Sequence, residues 1–298
     1  MFILQDLCSW EVASCFTMST PYLGKNNGCK VDIYQIEQAE VRNSKLEDNY
    51  DTEKVTRDAF LGGLLHLLQP QKGYRAAIDS VLLAASVRAA PEERILDVGS
   101  GVGTVCFCVS ARVPSIKAHG IEINPFYAAL SQRNARDNGV SGWVCHTGDV
   151  YAPEQDVRRM VFDHVITNPP FYSGRCPSPS PVLGRDVARR EKPGGLSKWL
   201  QFCQARLAPG GELTLVHLPD RLPEILSALT PEMKGIEVLP LQPRRLEKPS
   251  RIIVRARKGR GKPFSLAVPR ILHNELGSDF TQEMQGILRG GRPLLWSP

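Results

Sequence analysis

The sequence lacks the usual marks of a membrane-spanning, secreted or metal-binding protein. Its longest apolar runs fall well short of the roughly 20 residues that a transmembrane helix needs. Residues 1–24 contain no Lys or Arg, which is wrong for the basic start of a secretory signal and for a transit peptide. The eight cysteines form no C-x-x-C pair and have no partners at metal-ligand spacing. We therefore expect a reduced, cytoplasmic chain with no metal and no membrane contact, and we expect it to act as a monomer.

What the sequence does contain is the composition of a globular protein with an uneven charge distribution. It has 298 residues, of which 42% are hydrophobic and 23% are charged. Residues 1–50 show no hydrophobic period and are acidic, so we predict a poorly ordered extension there and one domain over residues 51–298. Residues 244–262 hold nine Lys or Arg and one acid. This basic stripe favours a polyanionic partner, although a solvated protein face is the alternative.

Strand-like and helix-like segments alternate from Thr56 onward. The predicted strands are Arg94–Val98, Ile116–Ile123, Trp143–His146, Val161–Thr167, Glu212–Leu218, Gly235–Leu241 and Arg251–Ala256. The predicted helices are one from Ile78 that Asp79 or Ser80 caps, Thr104–Arg112, Pro125–Asn138, Leu196–Leu207, Leu222–Leu229 and Phe280–Leu288. This order predicts a doubly wound α/β fold with a mostly parallel sheet. No helix separates the last two strands, so they should pair antiparallel.

A glycine-rich loop follows the first predicted strand of that sheet. Gly99, Gly101 and Gly103 come directly after Asp97 and precede a helix, the context of a nucleotide-binding loop. A dinucleotide fingerprint requires the spacing G-x-G-x-x-G, whereas this loop has G-x-G-x-G. The spacing favours a ligand without phosphates, whose cationic group Asp97 could receive. The alternative is a tight turn between strand and helix.

Acidic residues also stand at the next two strand ends. Glu122 could bind both hydroxyls of a ribose, and Asp149 could accept from an adenine amino group, although a plain turn explains Asp149 equally well. With Asp97 for an amine, the three acids describe an S-adenosylmethionine pocket at the carboxyl edge of the sheet.

The fourth strand is followed by Asn168, Pro169, Pro170 and Phe171. The Asn168 side-chain oxygen and the Pro169 carbonyl could accept both N–H bonds of a planar amino group, and Phe171 could stack on its plane. Asn-Pro is also a common turn initiator. The loop by itself leaves open whether the planar group is adenine, guanine or an amide.

These motifs resemble those of class I methyltransferases that act on amino groups. The stretches Phe60–Gly63, Gln69–Arg75, Asp79–Ala84 and Arg251–Gly259 resemble, in addition, the tRNA1(Val) adenine-N6 methyltransferase family of the "methyltransferase small domain" group. The resemblance covers about residues 56–290. It implies a Rossmann-like, seven-stranded, mostly parallel sheet with an antiparallel last strand.

The resemblance also implies a reaction and its residues. The methyl donor is S-adenosylmethionine, and the acceptor is the N6 amino group of an adenine in tRNA, with A37 of a valine tRNA as the expected site. The implied cofactor-binding residues are Asp79, Asp97, Gly99, Gly101, Gly103, Glu122, Asp149 and Asn168. The implied catalytic residues are Asn168, Pro169, Pro170 and Phe171. With tRNA as partner, the expected phosphate contacts are Arg185, Arg189, Arg190, Arg244, Arg245, Arg251, Arg257 and Lys258.

Three alternatives stay open. A protein-glutamine N5-methyltransferase uses the same kind of loop, and an rRNA guanine-N2 methyltransferase is harder to exclude. A non-catalytic RNA-binding module is the third, although an intact glycine loop together with Asn168 disfavours it. None of the six histidines pairs with a nucleophile, so we interpret them all as structural.

Overall fold

The structure is a computed structural model that describes residues 55–173, 190–191, 195–229, 231–259 and 261–296. The described residues all belong to one compact unit. The predicted extension, residues 1–50, and the basic residues Arg185 and Arg189 lie outside the described residues, as does the side chain of Arg190.

The strands, in chain order, are β1 (Val55–Phe60), β2 (Leu65–Pro70), β3 (Arg94–Val98), β4 (Lys117–Glu122), β5 (Trp143–Thr147), β6 (Phe162–Thr167), β7 (Tyr172–Ser173), β8 (Arg190–Glu191), β9 (Leu207–His217), β10 (Met233–Gln242), β11 (Arg251–Lys258), β12 (Ser265–Leu266) and β13 (Arg270–Ile271). The α-helices are Ile78–Ser86, Thr104–Arg112, Pro125–Asp137, Gln155–Arg159, Gly195–Ala205, Leu222–Leu229 and Gln282–Gly290.

Seven of these strands form the main sheet, in the order β10-β11-β9-β6-β3-β4-β5. Strands β3, β4, β5, β6 and β9 pair parallel with one another, and β11 runs antiparallel to both of its neighbours. The predicted mostly parallel sheet with a reversed strand near its end is thereby confirmed. The two-residue strands β12 and β13 extend the sheet beyond β10 and were not predicted.

The sheet is buried on both faces, as parallel sheets usually are. Successive residues of a strand point to opposite faces, so Ile95 joins one core and Leu96 joins the other. The helices Ile78–Ser86 and Thr104–Arg112 contribute to the first core, and Gly195–Ala205 and Leu222–Leu229 contribute to the second. The sheet is therefore fixed from both sides, and its strand ends have defined positions.

Several local predictions were wrong. The first helix is not capped by Asp79 or Ser80, because its N-cap is Ala77, which makes no side-chain cap bond. Asp79 lies in the first turn instead. A short helix, Gln155–Arg159, stands where none was predicted. Strand β9 begins at Leu207 rather than at Glu212. Leu207 already pairs with Phe162 of β6, and the register of the two strands then shifts between Phe162 and His164.

The antiparallel pair β1–β2 was also not predicted. A turn at Leu61–Gly63 joins the two strands, with Gly62 and Gly63 at φ 68° and 98°, which favour glycine. The Asn134 side chain, on the helix Pro125–Asp137, accepts from the Leu68 N–H at 2.7 Å and donates to the Leu68 carbonyl at 3.0 Å. The Asn134 amide thus makes the two backbone hydrogen bonds that a neighbouring strand would otherwise make. It holds β2 beside the loop that carries Tyr74.

Candidate functional site

The fold brings the carboxyl ends of four parallel strands to one edge of the sheet. Strands β6, β3, β4 and β5 are neighbours there, so Asn168, Asp97, Glu122 and Asp149 stand on adjacent strand ends, as predicted. Asp97, Gly99 and Asn168 line one cavity. The cavity is also lined by Tyr74, Ser80 and Tyr127, which sequence analysis did not place in the site.

The glycine loop adopts a conformation that only glycine takes without strain. Gly99, Gly101 and Gly103 have φ values of 76°, 55° and 88°. The loop is tied to the next strand, since the N–H groups of Gly99 and Ser100 both donate to the Ile121 carbonyl. A Cβ atom on Gly103 would lie 2.4 Å from the Phe107 ring. Glycine is therefore required at position 103 by the fold.

Asp97 carries a buried carboxyl group with one unpaired oxygen. Its side chain is 1% exposed, and its Oδ2 atom has no hydrogen-bond partner among the described residues. Burial, together with the neighbouring Glu122 carboxylate, raises the pKa of Asp97 to about 8. An acid with this pKa is mostly protonated at neutral pH, and a cationic group placed beside it would favour its ionised form; the role of Asp97 in binding the amine stays a prediction.

Glu122 holds the glycine loop in place. Its Oε2 accepts from the Gly101 N–H and its Oε1 from the Asn124 N–H, each at 2.8 Å. Burial raises the pKa of Glu122, although both backbone hydrogen bonds oppose that shift. Carboxylate oxygens can accept more than one bond, so binding a ribose stays compatible with this arrangement.

Asp149 is half-buried after β5, and its Oδ1 accepts from the Tyr151 N–H at 2.9 Å. The turn that the sequence left open as an explanation is therefore present. A contact between Asp149 and an adenine stays a prediction.

The Asn168 side chain is oriented by a tyrosine. Its Nδ2 donates to the Tyr74 hydroxyl at 3.2 Å, and the Tyr74 N–H in turn donates to the Tyr127 hydroxyl at 3.2 Å. Burial raises the pKa of Tyr74 to about 12, so its phenol stays protonated at neutral pH. Since the amide nitrogen is engaged, the amide oxygen is the atom that Asn168 can offer as an acceptor.

Phe171 is contacted by two further side chains, those of Arg251 and His217. The Arg251 guanidinium carbon lies 5.1 Å from the Phe171 ring centroid, and the Arg251 Nε lies 2.9 Å from Asp79 Oδ2. The His217 ring approaches at 5.1 Å with an interplanar angle of 62°. Asp79, predicted as a cofactor residue, and Arg251, predicted as a phosphate contact, thus form an ion pair with each other beside the catalytic loop.

His217 is neutral in this environment. It is fully buried at the end of β9, and burial, followed by the nearby Arg221 guanidinium, lowers the pKa of His217 to about 4. Its Nδ1 accepts from the Leu218 N–H at 2.8 Å, which puts the ring proton on Nε2. No sequence signal could have placed His217 beside Phe171, because their contact depends on the pairing of β6 with β9. Tyr74, by contrast, stands in the stretch Gln69–Arg75 that carried the family resemblance.

The basic stripe at residues 244–262 does not form one patch. Strand β11 crosses the sheet, so Arg251 lies at the edge with Asn168 and Lys258 at the opposite edge, about 24 Å away at 3.4 Å per residue. Lys258 donates to the carbonyls of Gln204 and Leu207, and Arg257 lies 3.6 Å from Glu212. The basic residues of this stripe therefore lie at both edges of the sheet, and the contacts of Arg251, Arg257 and Lys258 with RNA phosphates stay a prediction.

On the side of the site, the hairpin loop between β10 and β11 carries Arg244 and Arg245. Arg245 is exposed, and Arg244 donates to the Gly277 carbonyl at 2.7 Å. The backbone of Arg190, in β8, pairs with Tyr172, the residue after Phe171. The contacts of these three basic residues with RNA stay a prediction.

Two absences concern only the described part of the chain. Residues 55–296, apart from the undescribed gaps, contain no group of three or more His, Cys, Asp or Glu placed to hold a metal ion. Over the same residues, none of the helices has the length and hydropathy to cross a membrane.

Comparison with known proteins gives the class. Residues 75–183 match the model of the methyltransferase small domain. A protein of Porphyromonas gingivalis named tRNA1(Val) (adenine(37)-N6)-methyltransferase is 31% identical over 158 residues, which are 51% of this chain and 61% of that protein. A protein of the same name from Salmonella typhi is 32% identical over 123 residues, 38% of this chain and 48% of that protein.

The chain thus spans less than two thirds of the length of these two curated relatives. A crystal structure of a predicted O-methyltransferase from Agrobacterium tumefaciens has 25% sequence identity and a TM-score of 0.61, and the match covers 73% of this chain and 98% of that one.

The fold is that of the class I methyltransferases, a class whose methyl donor is S-adenosylmethionine. Within that class, residues 75–183 are similar to the methyltransferase small domain, and the chain is similar to proteins named tRNA1(Val) (adenine(37)-N6)-methyltransferase. The fold class and the resemblance expected from the sequence are thereby confirmed.

Proposed function

We propose that this chain transfers a methyl group from S-adenosylmethionine to the N6 amino group of an adenine in tRNA. The observation that carries the proposal is the Asn168 amide, which Tyr74 orients at the mouth of the same cavity that contains the unpartnered Asp97 carboxylate. An acceptor for an amino group and an acid for a cationic ligand thus share one pocket. The relatives' names favour adenine, and in particular A37 of a valine tRNA, over the other planar amines.

The cavity fits the methyl donor by its donor set. Asp97 would hold the amino group of S-adenosylmethionine, Glu122 its ribose, and the backbone of Gly99 to Gly103 would leave room for it at the turn. The bound cofactor supplies a methyl group that is already activated on a sulfonium. The protein therefore has to position the acceptor nitrogen, and positioning can supply roughly 7–11 kcal/mol of a barrier.

The catalytic loop does that positioning. The Asn168 oxygen and the Pro169 carbonyl accept the two N–H bonds of the adenine amino group, which fixes its plane and shifts electron density toward the nitrogen. Phe171 stacks on the base, which leaves its own stack to reach the loop. No strong base is needed, because the amine becomes acidic as it is alkylated and loses its proton afterwards.

The experiment uses a tRNA1(Val) transcript without modified bases, incubated with the protein and labelled S-adenosylmethionine. We expect N6-methyladenosine in the nucleoside digest and no product when A37 is replaced by guanosine. The variant Asn168→Ala should lower kcat about 100-fold or more, because one of two acceptors is lost, while the Kd for S-adenosylmethionine changes little. Undiminished turnover by Asn168→Ala would overturn the mechanism.

The same assay separates the alternatives. Methylation of N2 of guanine in rRNA, or of a glutamine-containing peptide, in place of adenine N6 would replace the proposed substrate. Binding of the transcript without any turnover would favour the non-catalytic RNA-binding module. A cytoplasmic location belongs to the proposal, since tRNA is the proposed partner.

A further inference from the structure

We propose that Arg251, held by Asp79, is a positioning residue that covers one face of the Phe171 ring, so that a substrate base stacks only on the other face. The inference rests on the proposed function and deepens it. It assigns to Asp79 and Arg251 a joint role in place of two separate ones, cofactor binding and phosphate binding.

The first support is the geometry of the pair. Arg251 Nε lies 2.9 Å from Asp79 Oδ2, and the two side chains are only 29% and 18% exposed. The Arg251 Nη1 also donates to the Ser250 carbonyl at 2.8 Å. A guanidinium with two of its donors engaged and most of its surface covered is poorly suited to bind a phosphate in solvent.

The second support is the contact with Phe171. The guanidinium carbon stands 5.1 Å from the ring centroid, within the range of a cation–π interaction. The buried His217 ring contacts Phe171 at 5.1 Å in an edge-on arrangement, from the end of strand β9. The Phe171 ring is therefore contacted by two side chains, Arg251 over one face and His217 in a tilted arrangement, which belong to two different strands of the sheet.

The third support is how the pair is built into the fold. Asp79 projects from the first turn of the helix Ile78–Ser86, and Arg251 is the first residue of the reversed strand β11. Both elements are anchored in the core, so the pair ties the stacking ring to rigid parts of the molecule rather than to a loop. The antiparallel direction of β11 is what brings its first residue to the edge that carries the site.

Three roles for these residues predict different results in the transcript assay. We test Arg251→Gln, Arg251→Lys and Asp79→Asn, and measure kcat, KM, the Kd for S-adenosylmethionine and the salt dependence of transcript binding. Arg133→Gln is the matched control, because Arg133 forms an Arg–Asp pair with Asp137 on the exposed surface of another helix. We expect this control to behave as the wild type.

The positioning role predicts that all three variants lower kcat about tenfold, because lysine cannot reproduce a planar stack. It also predicts that Asp79→Asn combined with Arg251→Gln is no worse than either alone, since the two residues act as one unit. The Kd for S-adenosylmethionine and the salt slope should change little in these variants.

Other results would overturn the inference. Rescue by Arg251→Lys, with a salt slope reduced by about one in Arg251→Gln, would make Arg251 a phosphate contact. A weakened Kd for S-adenosylmethionine in Asp79→Asn alone would make Asp79 a cofactor residue. Wild-type kcat in every variant would remove both residues from the site.

A structural measurement separates this inference from the proposed function. If the wild-type protein does not methylate the transcript, the proposed function fails, and the contact itself is tested by denaturation midpoints of Arg251→Gln, Phe171→Leu and the double variant. We expect a combined shift smaller than the sum of the two single shifts. Additive shifts would show that the two side chains do not interact.

Discussion

The Asn168 amide donates from Nδ2 to the Tyr74 hydroxyl at 3.2 Å, and this bond decides which end of the amide can serve the substrate. An amide side chain can flip, and only one orientation presents an acceptor to an amino group. Tyr74 therefore fixes the orientation of the Asn168 amide.

Removing the Tyr74 hydroxyl should impair catalysis but leave the binding of S-adenosylmethionine intact. We expect Tyr74→Phe to lower kcat about tenfold, the equivalent of losing one hydrogen bond worth roughly 1.4 kcal/mol, because the Asn168 amide is then free to rotate. The Kd for S-adenosylmethionine should change little, as titration calorimetry can check. The comparison variant is Tyr127→Phe, which removes the acceptor of the Tyr74 N–H and should mainly lower thermal stability. Full activity of Tyr74→Phe would contradict the orienting role.

The buried Asp97 should make stability depend on pH. Its pKa in the folded protein is about 8, above its ordinary value of 3.8, so the folded state binds the extra proton. The free energy of unfolding should therefore fall as the pH rises from about 4 through about 8. Asp97→Asn should remove that part of the slope, which urea denaturation at a series of pH values would measure. An unchanged slope in this variant would show that Asp97 is already ionised.

The same carboxyl should also couple cofactor binding to proton release. A cationic amine placed beside Asp97 favours its ionised form, so the affinity for S-adenosylmethionine should rise with pH up to about 8, with one proton released at lower pH. Calorimetry in buffers of different ionisation enthalpy counts the released proton. Asp137→Asn is the control, since that carboxylate is 47% exposed and pairs with Arg133 on the surface of the helix Pro125–Asp137. Binding without proton release in the wild-type protein would contradict this assignment.

Glycine at position 103 should be essential for the fold as well as for the ligand. Its φ is +88° and an added Cβ would meet the Phe107 ring at 2.4 Å, so Gly103→Ala should cost roughly 1–3 kcal/mol of stability. Gly148→Ala is the matched control, because a Cβ there would meet no atom within 4 Å. Equal melting temperatures for the two variants would show that the loop relaxes around the new methyl group.

Sequence periodicity predicted the sheet well because most of its strands are short apolar segments between recognisable turns. It missed β1 and β2, whose second strand is held by amides of Asn134 and Asn138 that are distant in the chain. It also misplaced the start of β9, since the shift of register against β6 leaves no local signal.

The sequence by itself determined the strand-end motifs. Asp97, Glu122, Asp149 and Asn168 each follow from local position, because the carboxyl ends of parallel strands meet at one edge. Only the tertiary structure decided the partners of those residues. Asp79 meets Arg251, and His217 meets Phe171, through strand pairings that join residues far apart in the chain. The sequence likewise shows that residues 244–262 are basic, but only the fold shows where they lie. Strand β11 crosses the sheet and places Arg251 at one edge and Lys258 at the other.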